Sequence, residues 1–261
     1  MNLALVQLAP DLDAGRTRER VAEQVAKGID AGAALVVAPE GSSGPLPTTR
    51  AEAAQVAEPI DGPFVSLLCS LSTSSCTVMA GMVEDLGDGA FANTVVAARG
   101  GEVVATYRKL HLFAAFGADE AAWSVPGGSL TVLEVGGWRV GVMTCFDLRF
   151  PELTVALAAE GVDLLVVPAA WYAGVSKARQ LETLLGARAL DAVSYLGFAG
   201  QPAPLCCGGT GLFGPLGERL SSLPDAAEGV LVAELDRTRL DEARGLLPLA
   251  PLRRFAVELI E

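Results

Sequence analysis

Short runs of apolar residues alternate along the chain with longer stretches in which hydrophobic positions recur at helical spacing. The runs at 3–8, 34–38, 77–83, 91–98, 103–108, 130–135, 139–144, 163–167, 194–199, 211–213 and 229–234 predict strands, because they are rich in Val, Leu and Ala and end at Gly, Pro or Asp. The stretches at 16–31, 49–57, 63–72, 152–159, 177–192 and 237–243 predict helices. In the first of these, Val21, Val25 and Ile29 fall four apart on one face, with Arg and Glu on the other.

Order and turn chemistry turn this pattern into a fold class. The N-terminal part reads strand, helix, strand, helix, helix, and a run of strands follows. Runs such as 34–38 and 163–167 are apolar at nearly every position, which predicts burial on both faces of a sheet. Between 77 and 135 the strands are punctuated by Gly87-Asp88-Gly89 and Gly100-Gly101, and Gly136-Gly137 follows. These are tight-turn residues that predict antiparallel hairpins. A mixed sheet covered by helices makes the class α/β. No low-complexity linker and no internal repeat divides the chain, so residues 1–261 are read as one domain.

Composition removes several functional classes. With 51% hydrophobic residues the chain is too apolar to remain disordered. No stretch of about 18 apolar residues escapes a charge, a Pro or a Gly cluster, so no membrane span is expected. The first residues carry no basic group before their apolar run and meet Asp11 and Asp13 just after it, unlike a secretory leader. Nineteen basic against thirty-one acidic side chains leave a net charge of −12, which repels phosphate backbones and argues against nucleic acid as a partner. Five cysteines, an odd number, point to a reducing compartment, and a cytoplasmic location is expected. One histidine, His111, and no Cys-x-x-Cys pair leave no zinc site to build, so neither metal nor cofactor is expected.

Three strand ends carry the residues that matter for chemistry. Val140 to Thr144 leads into Cys145, and a helix is expected to start near Pro151. Open α/β sheets gather ligands at such carboxyl ends. A cysteine there is either a small buried hydrophobe or a nucleophile with backbone N–H groups close to its reacting carbonyl. A second strand ends at Pro39, which cannot donate to a ladder, and leaves Glu40 beside the same crevice. Burial there is expected to raise its pKa toward the range of a general base. A third ends in YRKLHLF, where Lys109 and His111 share a face by period two. His111 has two readings, a base for Cys145 or a packed side chain beside Lys109, and the second is preferred.

Taken in order, PEGSSG, YRKLHLF and TCFDLRFPE match strings that recur in one family: P-E near residue 40, Y-x-K-x-H-L-F, and C-(Y/F)-D-x-R-F-P-E. The chain resembles the nitrilase superfamily of carbon–nitrogen hydrolases over essentially its whole length, because GARALDA and GGTGLFGPLGE are similar to later family segments. The CFDLRFPE and YRKLHLF strings are closest to the Nit-type amidases, the ω-amidase and deaminated glutathione amidase branch.

The resemblance implies a four-layer α-β-β-α sandwich, usually paired into an eight-layer homodimer. It implies Cys145 as nucleophile, Glu40 as general base, Lys109 as stabiliser of the tetrahedral intermediate and Glu120 as the residue that holds the lysine. Asp119 stands next to Glu120 as a competing candidate. Phe146, Arg149 and Trp171 are expected to complete the oxyanion and substrate pocket. Arg149 or Arg179 is expected to meet a substrate carboxylate, with pairing of Arg149 to Asp147 or Glu152 as the alternative. Where many members have a His-Trp pair this chain has Lys177-Ala178-Arg179-Gln180-Leu181, and the usual R-A-x-(E/D)-N ends in Ala192. The implied reaction is hydrolysis of a small linear carboxamide through a cysteine thioester. The alternatives are a nitrile or N-carbamoyl substrate on the same triad, or a non-enzymatic binding module. A glutaminase subunit is disfavoured, since no second domain is expected. Cys206-Cys207, an adjacent pair in a Gly/Pro-rich loop, receives no role.

Overall fold

In the computed structural model, which describes residues 1–260, the apolar runs become strands of two sheets packed face to face. The first half of the chain gives β1 (Asn2–Gln7), α1 (Ala14–Asp30), β2 (Leu35–Val37), α2 (Arg50–Val56), α3 (Pro63–Leu71), β3 (Thr77–Gly87), β4 (Ala90–Arg99) and β5 (Glu102–Arg108). A two-stranded ribbon, β6 (Ala114–Ala115) and β7 (Ala118–Asp119), leads across to β8 (Val132–Val135), β9 (Trp138–Val142), α4 (Pro151–Ala159), β10 (Leu164–Ala169), α5 (Lys177–Ala192), β11 (Tyr195–Gly200), β12 (Gly211–Phe213) and β13 (Arg219–Ser222). The chain then returns to the first sheet with β14 (Gly229–Glu234), followed by α6 (Arg237–Leu246) and α7 (Leu249–Leu252). The sheets run β14-β1-β2-β3-β4-β5 and β13-β12-β11-β10-β9-β8. β1, β2 and β3 are parallel, as are β9, β10 and β11. The flanking strands add antiparallel, β14 returning from the far end of the described chain to pair with β1.

Side-chain alternation along single strands builds the layers. From β1, Leu3 and Leu5 enter a core shared with Val140, Val142, Leu164 and Val166 of the second sheet. Ala4 and Val6 point the other way, against Val21 and Val25 of α1 and Phe64 and Leu68 of α3. On the far side, Leu157 of α4 and Leu181 and Leu185 of α5 cover Leu165 and Val167. With helices on both outer faces, central strands such as β2, β10 and β11 are buried on both sides, which explains why their runs lack polar alternation. The sheets approach closely: a Cβ on Gly197 of β11 would stand 3.0 Å from Leu3 Cδ2. This is the expected four-layer α-β-β-α sandwich.

Most helix ends follow local rules. The Asp13 side chain accepts from Arg16 N at 2.8 Å, and Thr49 caps α2 through Glu52 N. α3 and α4 open on Pro63 and Pro151, where no backbone donor is missed.

Three expectations change. The strands between 77 and 135 form hairpins as expected, but they divide between the two sheets at the crossover after Arg108. The strand expected at 139–144 stops at Val142, because Met143 and Thr144 already turn toward Cys145. β13 was not anticipated: its Arg-Leu-Ser-Ser sequence sits at a sheet edge and is polar. Among the described residues no helix is long and apolar enough to cross a membrane. The expected domain ends at Glu261, which lies outside the described residues.

Candidate active site

Glu40 lies just past β2, where the chain is held against β3. Gly81 N donates to Pro39 O at 3.1 Å, Ser42 N donates to Gly81 O at 2.8 Å, and the Ser42 hydroxyl donates to Pro39 O at 2.7 Å. This contact requires glycine at 81, since a Cβ there would fall 2.6 Å from Glu40 Cα. The second sheet fastens Glu40 from the other side: Gln201 Nε2 donates to its carbonyl and Ala170 N to its Oε2, at 2.9 and 2.7 Å. A single glutamate therefore bridges both sheets at their carboxyl ends.

Lys109 follows directly after β5, with its N–H on Asn93 O at 2.9 Å. Its ammonium bonds Glu40 Oε1 at 3.0 Å and Glu120 Oε2 at 2.8 Å. Glu120 returns to this point because the β6–β7 ribbon folds the chain back on itself. Glu120 N donates to Phe113 O, and Phe113 N donates to Glu120 Oε2. Asp119 is exposed and accepts from Ala121 N, so Glu120 is the residue that holds the lysine. Asn93 completes the group. Its amide donates to Glu40 Oε1 at 2.8 Å and to Glu120 Oε1 at 2.7 Å, while its own Oδ1 is buried without a partner. Sequence reasoning missed Asn93, although a polar residue within the apolar run Phe91 to Ala98 was a visible signal.

Cys145 starts a short 3₁₀ turn after β9, with φ +45°, a left-handed conformation that costs a non-glycine residue about 1–3 kcal/mol. The turn is held by Asp147, whose buried carboxylate accepts from Thr144 N at 2.8 Å, the Tyr107 hydroxyl at 2.7 Å and His111 N at 3.1 Å. His111 Nδ1 lies 2.7 Å from Asp147 Oδ1, and its ring stacks on Phe150 at 3.7 Å. The histidine is thus a packed residue of the turn. It shares no strand face with Lys109, because β5 has already ended.

The electrostatics assign protons. Burial is the largest influence on Glu40 and favours the neutral acid. The Lys109 charge, the Ala170 N–H and the bonds from Lys109 and Asn93 together outweigh it, so the carboxyl is held below its ordinary value. The expected upward shift is therefore reversed. Burial likewise opposes the charge on Lys109, but Glu40 and Glu120 raise its pKa. Burial and then the Glu40 charge push the Cys145 thiol well up. The resting group is a thiol beside a carboxylate and an ammonium.

A cavity of about 490 Å³ opens over these groups. Glu40, Lys109, Glu120 and Cys145 line one side. Phe113, Phe146, Trp171, Tyr172 and Lys177 line much of the rest. Arg149 and Arg179 do not line it; they face a separate depression with Ser176, Gln180 and Thr183. Arg149 donates to Gln180 Oε1 at 2.8 Å and lies over the rings of Phe146 and Trp171, so neither Asp147 nor Glu152 pairs with it. Burial lowers its pKa. Cys206 is buried beside the cavity wall, joined through a bridge to Tyr172, while Cys207 N donates to Trp171 O.

Comparison with known proteins agrees with this geometry. The family model for carbon–nitrogen hydrolases matches residues 2–245. A hydrolase of Mycobacterium tuberculosis strain H37Rv is 37% identical over 262 residues, covering 94% of this chain and 92% of that protein. The deaminated glutathione amidase of Escherichia coli O157:H7 is 40% identical over 165 residues, 63% of each chain. An amidase from Nesterenkonia sp. AN1, of the nitrilase superfamily, superposes with a TM-score of 0.81 at 29% identity, covering 95% of both chains. One structure of that amidase carries the acetamide moiety of fluoroacetamide added covalently at its active-site cysteine. With a model match over nearly the whole chain and relatives on the Nit-type branch, this protein belongs to the carbon–nitrogen hydrolase family of the nitrilase superfamily.

Proposed function

We propose that the protein hydrolyses a small linear carboxamide to its acid and ammonia through a thioester on Cys145. The observation that carries this reading is the meeting of Glu40, Lys109, Glu120 and Cys145 on one wall of a single cavity. The acetamide adduct at the active-site cysteine in a Glu-to-Gln mutant of the Nesterenkonia amidase supports the nucleophilic role of Cys145, though not the thioester itself.

The proton positions suggest the order of events. Glu40, ionised at rest, takes the proton from the Cys145 sulfur as the sulfur attacks the amide carbon. An ammonium has three donors, and Glu40 and Glu120 engage two of them on Lys109. The third is left for the oxygen that gains charge. The Phe146 N–H sits in the first turn after the nucleophile, where backbone donors lack helical partners, and serves as a second donor. Protonated Glu40 then gives its proton to the leaving nitrogen. Ammonia departs, and the thioester remains. Glu40 next removes a proton from water attacking the thioester, and the acid leaves as the thiol is restored. Asn93 and Glu120 keep the lysine and base in register throughout.

An amide carbon becomes tetrahedral on attack and aims its oxygen at fixed donors, whereas a linear nitrile develops charge along another vector. One acid's amide and nitrile, compared by kcat/KM, test the reading. The amide should be preferred, and a nitrile preferred by tenfold or more would replace this assignment with a nitrilase.

Other features are proposed on the resemblance alone: a homodimer and a cytoplasmic location. Size-exclusion chromatography with light scattering tests the first, and fractionation of cells the second.

A further inference from the structure

Lys109 and Cys145 belong to different sheets. The lysine follows β5 of the first sheet, with its N–H on Asn93 O and its carbonyl accepting from Gly127 N, both at 2.9 Å. The cysteine follows β9 of the second. The reaction proposed above needs both on one carbonyl group, the sulfur at its carbon and the lysine and Phe146 N–H at its oxygen. The offset between two sheet ends therefore has to be fixed.

One side chain spans that gap. Asp147 lies two residues after the nucleophile and is fully buried. Within its own turn, its Oδ2 accepts from Thr144 N at 2.8 Å. Toward the first sheet, Oδ2 accepts from the Tyr107 hydroxyl at 2.7 Å, and Oδ1 meets His111 N at 3.1 Å and His111 Nδ1 at 2.7 Å. Tyr107 and His111 stand two residues before and two after Lys109, so the lysine is held between two attachments to the cysteine's turn. Burial, and then the Asp147 charge, push the Tyr107 phenol well up, which keeps it a donor. The ties from Ala170 N and Gln201 Nε2 end on Glu40 and do not reach the turn. That turn needs an outside hold, because Cys145 sits at φ +45°, a conformation that persists only when its surroundings impose it.

We propose that Asp147 is the positioning residue that sets the register between Lys109 and the Cys145–Phe146 turn, and so aims two donors from different sheets at one oxygen. Its carboxylate does not line the cavity and acts through Lys109 and Phe146. This role rests on the amidase reading above and deepens it. Misplacing catalytic groups by about 1 Å costs on the order of 10²-fold in rate. A carboxylate that only stabilised the fold would cost melting temperature instead.

The test is Asp147→Asn, which keeps the side chain's shape and gives up its charge. Where circular dichroism shows the variant folded, kcat for butyramide should fall about 10²-fold with KM within about threefold. Iodoacetamide alkylates Cys145 by displacing iodide from a saturated carbon, and no oxyanion forms. That rate should stay within about threefold of the wild type. Butyraldehyde does use the donors: the sulfur bonds its carbonyl carbon, the thiol proton ends on the oxygen, and that oxygen accepts from them. Its dissociation constant, read as protection from iodoacetamide, should rise about tenfold or more. An unchanged kcat with a lower Tm overturns the proposal. So does an equal loss of turnover and alkylation, which would make the thiol itself depend on Asp147. If Asp147→Asn does not fold, Tyr107→Phe/His111→Asn cuts the side-chain ties to the first sheet and leaves the Thr144 bond. A fall in kcat of about tenfold or more with alkylation retained upholds the register, and a smaller fall overturns it. If the wild type cleaves no amide, the amidase reading fails, and the aldehyde measurement alone judges Asp147. Protection weakened about tenfold in the variant upholds its role, and equal protection overturns it.

Discussion

The two walls of the cavity are built on opposite principles. On one, Glu40, Lys109, Glu120 and Asn93 are joined through bonds of 2.7 to 3.0 Å, and Ala170 N and Gln201 Nε2 from the second sheet tie Glu40 in. On the other, Lys177 rests against Phe113, Phe116 and Trp171 without a carboxylate. A closed polar network fixes the positions of protons and charges before substrate arrives, and such preorganisation is what lowers a barrier. The difference separates a wall whose charges are paired in place from one whose cation rests on aromatic faces.

Variants on the polar wall should damage turnover, in proportion to how directly they touch the proton path. Cys145→Ala removes the nucleophile and should abolish ammonia release. Glu40→Gln cannot take the thiol proton and should lose ~10²–10⁴-fold in kcat, with circular dichroism unchanged. Asn93→Ala strips one donor from each glutamate and should cost about 10–100-fold, the worth of a hydrogen bond to a charged group.

That variant should also move the acid limb of the pH profile, and the sign follows from the wild type. The active free form has Glu40 ionised and Cys145 protonated. Glu40 is held down and Cys145 pushed up, so kcat/KM for a neutral amide should stay flat between about pH 5 and 8, inside the ordinary values of ~4.3 and ~8.5. It should fall only beyond those limits. Losing the Asn93 donor favours neutral Glu40 and shifts the acid limb upward. A wild-type acid limb near pH 6.5 would instead point to a histidine.

The smallest effect is expected at His111. His111→Asn gives up the stack on Phe150 and the Asp147 contact, so thermal stability should drop while turnover stays within a few fold. Turnover lost with stability intact would return the histidine to the proton path.

Local chemistry made much of this legible in sequence. Near-continuous apolar runs marked the doubly buried strands, Gly87-Asp88-Gly89 and Gly100-Gly101 marked hairpins, and Pro39 and Pro151 marked an end and a start. The strings around Glu40, Lys109 and Cys145 pointed to one family, and the structure places all three side chains on one pocket. What stayed hidden depends on partners far away in sequence. The division of hairpins between two sheets leaves no periodicity signal. The downward shift of Glu40 needs Lys109, Asn93 and Ala170, which come from other strands. Lys177 sits where any helix might start with a surface lysine, and only the fold brings Phe113, Phe116 and Trp171 around it. Arg149 was the more visible cation because it lies within the Cys145 string, yet its guanidinium is spent on Gln180 and the aromatic rings.

The division between the walls rests on Cys145 carrying the acyl group and Glu40 moving its proton. Quenching the enzyme during turnover of a slow amide, then mapping its peptides by mass spectrometry, tests both at once. An acyl thioester on the Cys145 peptide, abolished in Glu40→Gln and retained in His111→Asn, is the predicted result. An adduct on Cys206 or Cys207, or one that forms equally well without Glu40, would contradict the account.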